Sequence, residues 1–143
     1  MKLQPGSHGT VRPARKIPLA LREKVKNELH KMEVDGVIVR VNDPTEWSSF
    51  MVVVSEPNKF RICMDPVDLN KVLQREHYPM MTLEDVASKL SGGKLFSTLD
   101  ASSGFWQIPL DEESSKICTM STPYGCYRFT RMPFGICTAP EIF

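Results

Sequence analysis

The chain has 143 residues, of which 41% are hydrophobic and 24% are charged, and this balance is typical of one folded domain rather than a disordered chain. Its 18 basic and 17 acidic side chains give a net charge of +1, so binding of a polyanion would depend on a local cluster of cations. With no apolar run near the roughly 18 residues that cross a bilayer and no signal peptide, an intracellular protein is expected, with no membrane as a partner.

The first predicted element is an extended lead-in segment over residues 1–18, where prolines and glycines recur among basic residues. A linker is one interpretation of this composition, and an arm that binds nucleic acid is the other. A helix follows, since apolar residues recur at spacings of three and four before Gly36, which can end a helix. Those apolar residues are Leu21, Val25, Leu29 and Met32.

Three strands are predicted after this helix. Residues 37–41 are rich in β-branched side chains, and residues 42–45 interrupt the run. Residues 50–54 and 60–64 flank Pro57-Asn58 and predict a hairpin. Together these segments predict a small antiparallel sheet with the helix packed beside it, in an α+β fold.

A second helix is predicted from Thr82, because Asp85 stands three residues later and the pair resembles a capping box. A strand over residues 94–99 follows and runs into Asp100. A carboxylate at a strand end can be presented to a groove as a metal ligand. Taken alone, however, Asp100 fits a turn or a helix cap better than a metal site.

The last third of the chain predicts short, turn-rich elements. Residues 122–125 predict a turn between two strands, and residues 132–135 predict a loop. Residues 138–141 predict the first turn of a helix, and because the sequence ends at Phe143 a truncated domain is expected. The four cysteines are scattered without a C-x-x-C pair, so buried reduced thiols are expected.

Two segments resemble the catalytic motifs of gypsy-class LTR-retrotransposon reverse transcriptases. Residues 96–108, FSTLDASSGFWQI, resemble the first motif, and residues 131–140, RMPFGICTAP, resemble the second. Residues 61–71 and 77–79 resemble the fingers segment of the same family. The resemblance runs in order along the chain and implies right-hand polymerase fingers and an incomplete palm over residues 19–143.

The resemblance implies an RNA-directed DNA polymerase, encoded within a Pol polyprotein, that adds a dNTP to a primer 3′ hydroxyl by a two-metal mechanism with Mg²⁺. Its partners would be an RNA or DNA template-primer, the dNTP and the rest of the polyprotein. Asp100 would be the first of three catalytic aspartates and a metal ligand. The backbone carbonyl of Ala101 would contact one of the metals.

Four other residues match nucleotide-binding positions of the family. Arg61 matches a fingers arginine that contacts the triphosphate, a role suited to a forked guanidinium. Phe105 matches the steric gate, where a bulky ring excludes a ribose 2′ hydroxyl and so selects deoxynucleotides. Phe134 and Gly135 match the loop near the nucleotide base and the template strand. The alternatives are a solvated strand arginine for Arg61 and a core aromatic for Phe105.

The sequence also departs from the family pattern. The other two catalytic aspartates belong to a later hairpin of the family and are not among the 143 residues, so the chain alone is expected to be inactive. Glu56 stands where relatives usually carry lysine and would repel a triphosphate, and Val67 replaces a common arginine. Two other hypotheses stay open: a domesticated, non-enzymatic module that binds nucleic acid or protein, and a decayed, inert copy.

Overall fold

A computed structural model gives the fold and describes residues 1–57, 59–75, 79 and 81–143. Asn58 of the predicted hairpin turn lies outside the described residues, as do His77 and Tyr78 of the fingers segment. Within the described ranges, none of the helices combines the length and the apolar character that crossing a bilayer requires.

A mixed sheet of five strands lies at the centre of the described part of the chain. In chain order the strands are β1 (Ile38–Val41), β2 (Ser49–Glu56), β3 (Lys59–Asp65), β4 (Thr119–Thr122) and β5 (Gly125–Phe129). Across the sheet they lie in the order β1-β5-β4-β2-β3. Neighbouring strands are antiparallel, except that β2 and β4 are parallel.

The α+β class and the predicted strands over residues 37–64 are confirmed. The sheet differs from the predicted small antiparallel sheets because the β4–β5 hairpin lies between β1 and β2 and joins all the strands into one sheet. Ser49 pairs in parallel with Met120 at this junction. Periodicity along the sequence places a strand but does not select its partner, so the joining of the two parts was not predicted.

Helix α1 (Arg22–Val34) packs across one face of the sheet, against β1 and β3. Its inward residues Val25, Leu29 and Met32 are at most 2% exposed. Gly36 follows with φ of +68°, so the predicted helix end is confirmed, as is the apolar stripe except for Leu21, which lies in a 3₁₀ turn, Leu19–Leu21, before α1. Each side chain buried in this way contributes about 1.5–3 kcal/mol, and α1 therefore anchors the fold.

Residues 1–18 run along the surface of the domain and are held there by hydrogen bonds between backbone groups. Gln4 N donates to Val72 O at 2.8 Å, and Arg12 N donates to Ser48 O at 2.8 Å. The Arg12 side chain also forms an ion pair with Asp68, with Nε and Oδ2 2.7 Å apart. The lead-in segment is thus docked on the sheet and on the helix that follows β3.

The predicted strand over residues 94–99 is wrong, because the structure shows an irregular, exposed segment there. Leu95 is 95% exposed and Leu99 is 96% exposed. A strand is stable when its backbone groups pair with a neighbour, and no strand among the described residues pairs with this segment. Apolar content alone therefore did not produce a strand.

The remaining helices are short: α2 (Val67–Val72), α3 (Leu83–Leu90), α4 (Glu112–Ile117) and α5 (Ala139–Ile142). The predicted capping box is present at the start of α3, where Thr82 N donates to Asp85 Oδ2 at 2.9 Å and Asp85 N donates to Thr82 Oγ1 at 3.2 Å. The predicted turn over residues 122–125 joins β4 to β5, and residues 132–135 form no helix or strand, as predicted.

All four cysteines are free thiols, but Cys63, Cys126 and Cys137 are only partly buried, so the prediction of buried thiols is confirmed for Cys118 alone. Cys118 is fully buried, and burial raises the pKa of its thiol to about 12. Desolvation likewise raises the pKa of the half-buried Cys63 thiol. These two thiols are therefore neutral packing groups rather than nucleophiles.

Candidate functional site

The structure brings Arg61, Asp100, Ala101 and Phe134 to one groove of about 510 Å³. Its walls come from the beginning of β3, from residues 100–104 and from one flank of α1. Phe105 and Gly135 do not line the groove, but each is next in sequence to a residue that does. The groove is therefore lined by residues from all three segments in which sequence motifs place the candidate site residues.

Asp100 is exposed at the end of the irregular segment and does not follow a strand, contrary to the prediction. Three residues later, Ser103 adopts a left-handed backbone with φ of +49°, and the 3₁₀ turn Gly104–Gln107 begins. Gln107 Nε2 donates to Ser102 O at 3.1 Å. The residues after Asp100 are thus folded into a compact turn that faces the groove.

Arg61 reaches the groove from β3, where it pairs with Val54 of β2. Its Nε atom is buried and has no hydrogen-bond partner among the described residues. A guanidinium carries five N–H donors and keeps its charge, and buried donors are normally paired. The Nε donor of Arg61 is therefore positioned to donate to a ligand in the groove.

Charged residues from three elements line the groove. Lys59 and Arg61 come from β3, Lys31 and Glu28 come from α1, and Asp100 comes from the irregular segment. Three cations thus share the groove with two carboxylates, although the whole chain is close to neutral. Sequence reasoning missed Lys31 and Glu28, because both lie on the polar side of α1 and belong to no motif.

Aromatic rings pack behind residues 100–104. The ring centroids of Phe105 and Phe134 are 5.4 Å apart, and those of Trp106 and Phe134 are 5.9 Å apart. Phe143 meets Phe105 edge to face, with centroids 5.7 Å apart. Such tilted and edge-to-face contacts are favourable for aromatic pairs. The rings fix Phe105 beside the groove, and its packing is compatible with both the gate and the core interpretation.

The loop that carries Phe134 is held by Asn70, a residue that sequence reasoning did not select. Asn70 Nδ2 donates to Gly135 O at 2.8 Å, and Cys137 N donates to Asn70 Oδ1 at 3.0 Å. Gly135 itself has φ of +98°, a conformation that side chains with a Cβ rarely adopt. The amide of Asn70 therefore fixes this loop to α2. Asn70 lies within the fingers segment, residues 61–71, and this is the sequence feature that could have drawn attention to it.

The oxygen donors of the groove fit part of a magnesium site. Mg²⁺ prefers carboxylate and carbonyl oxygens, often with one or two carboxylates completed by water and phosphate. The exposed carboxylate of Asp100 and the neighbouring carbonyl of Ala101 are donors of this kind. In the part of the chain that the structure describes, no group of three or more His, Cys, Asp or Glu side chains is placed to hold a metal.

Curated relatives of the chain include retrotransposon polyproteins. The Pol polyprotein of transposon 412 from Drosophila melanogaster is 36% identical over 130 residues, covering 85% of this chain and 10% of that protein. The Pol polyprotein of transposon gypsy from the same organism is 31% identical over 131 residues, covering 87% of this chain and 13% of that protein. The chain thus spans about a tenth to an eighth of the length of these two relatives.

Solved structures show the same fold. The protease-reverse transcriptase of prototype foamy virus matches with a TM-score of 0.81 at 19% identity, over 96% of this chain and 18% of that one. A foamy viral protease-reverse transcriptase in complex with double-stranded DNA matches with a TM-score of 0.70 at 21% identity, over 100% of this chain and 25% of that one. Residues 49–143 also match the family model described as reverse transcriptase (RNA-dependent DNA polymerase). The chain belongs to the reverse transcriptase family.

Proposed function

We propose that this chain supplies the fingers and part of the palm of an RNA-directed DNA polymerase, and that the groove binds the incoming deoxynucleoside triphosphate. The observation that carries the proposal is that the unpaired Nε donor of Arg61 and the carboxylate of Asp100 belong to one groove. Membership of the reverse transcriptase family supports the same reaction class.

The cations of the groove are suited to a triphosphate. We assign the phosphate contact to Arg61, since a guanidinium can fork onto two phosphate oxygens. Lys31 and Lys59 line the same groove and add point charges to it. Glu56, at the exposed end of β2, does not line the groove, so its charge acts on a bound nucleotide from farther away.

Reverse transcriptases as a family use divalent metal ions, and we propose Mg²⁺ for this groove. Asp100 and the carbonyl of Ala101 would hold the ion, because both offer the oxygen ligands that Mg²⁺ prefers. When bound, the ion would polarise the phosphoryl oxygens of the nucleotide. Asp100 serves as the first catalytic aspartate in this proposal, and its exposure leaves room for substrate and water.

The cluster of aromatic rings formed by Phe105, Phe134 and Phe143 would select the sugar. Phe105 is held by contacts with the rings of Phe134 and Phe143, so its position is fixed before a nucleotide binds. We propose that this ring is the steric gate against a ribose 2′ hydroxyl. Phe134 and the loop at Gly135 would contact the nucleotide base or the template strand, because Phe134 lines the groove.

The template-primer is the second proposed partner. Curated relatives include Pol polyproteins, and one of the matching foamy viral structures contains double-stranded DNA. We infer that this chain acts on an RNA or DNA template-primer within a Pol polyprotein.

Replacing Arg61 tests the triphosphate contact. Arg61→Ala should weaken binding of a fluorescent dTTP analogue about ten- to hundredfold, because charge-assisted hydrogen bonds contribute about 1.5–3 kcal/mol. Fluorescence anisotropy with the 143-residue chain measures this affinity. Arg128→Ala on β5, outside the groove, is the matched control and should bind the analogue as the wild type does. Equal affinity of both variants would contradict the assignment.

Replacing Asp100 tests the metal contact separately. Added Mg²⁺ should strengthen binding of the dTTP analogue to the wild-type chain, and Asp100→Asn should reduce this enhancement by about tenfold or more. Without Mg²⁺ the two proteins should bind alike. The control is Asp43→Asn, which removes an exposed carboxylate outside the groove. If Asp100→Asn and Asp43→Asn respond equally to Mg²⁺, Asp100 does not hold the ion.

A further inference from the structure

A second charged surface lies on the opposite flank of α1 from the groove. Its cations are Arg15, Lys16, Arg22, Lys26 and Arg40, and together with the ring of Tyr124 they form what we call the basic stripe. Two hollows, of about 310 and 430 Å³, make up the stripe, and Tyr124 lines both. The stripe is therefore continuous from the end of the lead-in segment to β1.

The basic stripe is a local excess of positive charge on a nearly neutral chain. Glu33 is the carboxylate among the residues that line the two hollows. Arg15 forms an ion pair with Asp65, whereas the ion pairs found between described residues involve none of Lys16, Arg22, Lys26 and Arg40. Their charges are thus available to a ligand rather than neutralised within the described part of the fold.

Hydrogen bonds fix the centre of the basic stripe. Tyr124 Oη donates to Arg22 O at 3.0 Å, and Arg40 Nη2 donates to Tyr124 O at 3.0 Å. These bonds tie the β4–β5 turn to α1 on one side and to β1 on the other. Arg22 and Lys26 are one helical turn apart, about 6 Å along the axis, so they flank the ring. These contacts hold the half-exposed ring of Tyr124 in place among the cations of the stripe.

Helix α1 connects the basic stripe with the groove. Glu28 and Lys31 line the groove, while Lys26 and His30 line the stripe. The two surfaces are therefore separated by the width of a single helix, about 10 Å. A flexible strand bound at the groove needs to cross only this helix to reach the stripe.

We propose that the basic stripe binds the sugar–phosphate backbone of single-stranded nucleic acid, as the unpaired part of the template. This inference rests on the proposed polymerase function, since it describes the path of the template strand that the polymerase would copy. Grooves that combine cations with aromatic side chains bind single strands because phosphates meet the charges and bases stack on the rings. Tyr124 is the stacking ring in this arrangement, and Arg22 and Lys26 are the phosphate contacts.

The test removes two charges from the stripe and measures the affinity for fluorescein-labelled oligo(dT) by anisotropy. The double variant Arg22→Gln, Lys26→Gln should lower the slope of log affinity against log salt by about 1.4, since each phosphate contact on a single strand contributes about 0.7. The matched control, Lys24→Gln with Lys94→Gln, removes two exposed cations that do not line the stripe. Its slope should stay close to that of the wild type.

Two results would overturn the proposal. One is an equal change of slope in the stripe variant and in the control, which would mean that only overall charge matters. The other is binding of poly-glutamate to the stripe as tightly as oligo(dT), which would indicate an acidic protein partner. Tyr124→Leu should weaken oligo(dT) binding about tenfold, whereas Tyr124→Phe should retain it, because a ring stacks on bases.

The assay contains no dNTP and no Mg²⁺, and the stripe variant leaves every residue that lines the groove unchanged. Suppose that Arg61→Ala and Asp100→Asn do not alter nucleotide binding while the stripe variant binds oligo(dT) more weakly. The stripe proposal is then supported and the proposed polymerase function is contradicted. If the stripe variant binds oligo(dT) like the control while nucleotide binding depends on Arg61, the stripe proposal alone falls. Circular dichroism of each variant establishes that the fold is retained.

Discussion

At the residue scale, a few backbone positions and one amide determine the shape of the groove. Gly135 has a left-handed backbone, and a Cβ added to it would lie 3.0 Å from Met64 O and 3.1 Å from Pro66 Cδ. Asn70 then donates to the carbonyl of this glycine and accepts a hydrogen bond from Cys137 N, two residues later. The loop can take this path only because residue 135 has no side chain, and Phe134 reaches the groove as a result.

Gly135→Ala should destabilise the protein through both strain and crowding. Gly6→Ala is the matched control, because Gly6 also has a positive φ, +77°, but a Cβ there would meet nothing within 4 Å. The loss of unfolding free energy should be at least about 1 kcal/mol larger for Gly135→Ala than for Gly6→Ala, since overpacking costs about 1–3 kcal/mol. Urea denaturation measures the difference, and equal losses would show that the contacts of Gly135 relax.

At the element scale, the sequence predicted correctly those elements that depend on interactions between residues close together in the chain. The apolar spacing in α1 and the Thr82–Asp85 capping box both act within a few residues, and both are present. Residues 94–99 have the composition of a strand, but a strand also requires a partner, which composition does not reveal. For the candidate site, motifs selected Arg61 and Asp100, whereas the role of Asn70 depends on contacts that span 65 residues or more and could not be predicted from its motif alone.

Docking of the lead-in segment should depend on pH through Asp68. The hydrogen bond from the Arg12 side chain, with a smaller effect of Lys71, holds the pKa of Asp68 below its ordinary value of 3.8. A carboxyl group whose pKa is lower in the folded state than in the unfolded state stabilises the folded state at any pH above its ordinary pKa. This stabilisation is lost as the pH falls through the pKa of the folded state. The stability difference between wild type and Asp68→Asn should therefore be largest near neutral pH and shrink below pH 3.8.

The measurement is the urea midpoint of both proteins between neutral pH and about pH 3. Asp43→Asn removes an exposed carboxylate that has no ion pair among the described residues, and it serves as the control. A difference between wild type and Asp68→Asn that does not narrow in acid would mean that the Arg12–Asp68 pair does not hold the segment.

At the scale of the whole molecule, apolar surface is concentrated between residues 81 and 99. Leu83 is 85% exposed, Phe96 is 63% exposed, and Leu95 and Leu99 are almost fully exposed. Exposed apolar patches commonly mark sites of association. The 143-residue chain should therefore self-associate as its concentration rises.

Leu95→Ser combined with Leu99→Ser should shift the chain towards monomer in sedimentation velocity experiments. The control is Leu19→Ser with Val34→Ser, which removes two similarly exposed apolar side chains from other parts of the surface. The control pair should leave the distribution of species unchanged. Wild-type protein that stays monomeric at high concentration would contradict this prediction, and so would equal effects of the two pairs.

The order of strands in the sheet has a consequence for synthesis on the ribosome. β1 and β2 follow each other closely in the chain, yet β5 and β4 lie between them in the sheet. A nascent chain that has emerged only to residue 118 holds β1 and the β2–β3 hairpin without the strands that unite them. Non-local pairing of this kind slows folding and prolongs the exposure of unpaired edges. The edges of β1 and β2 that pair with the β4–β5 hairpin therefore stay unpaired until Phe129 has left the ribosome.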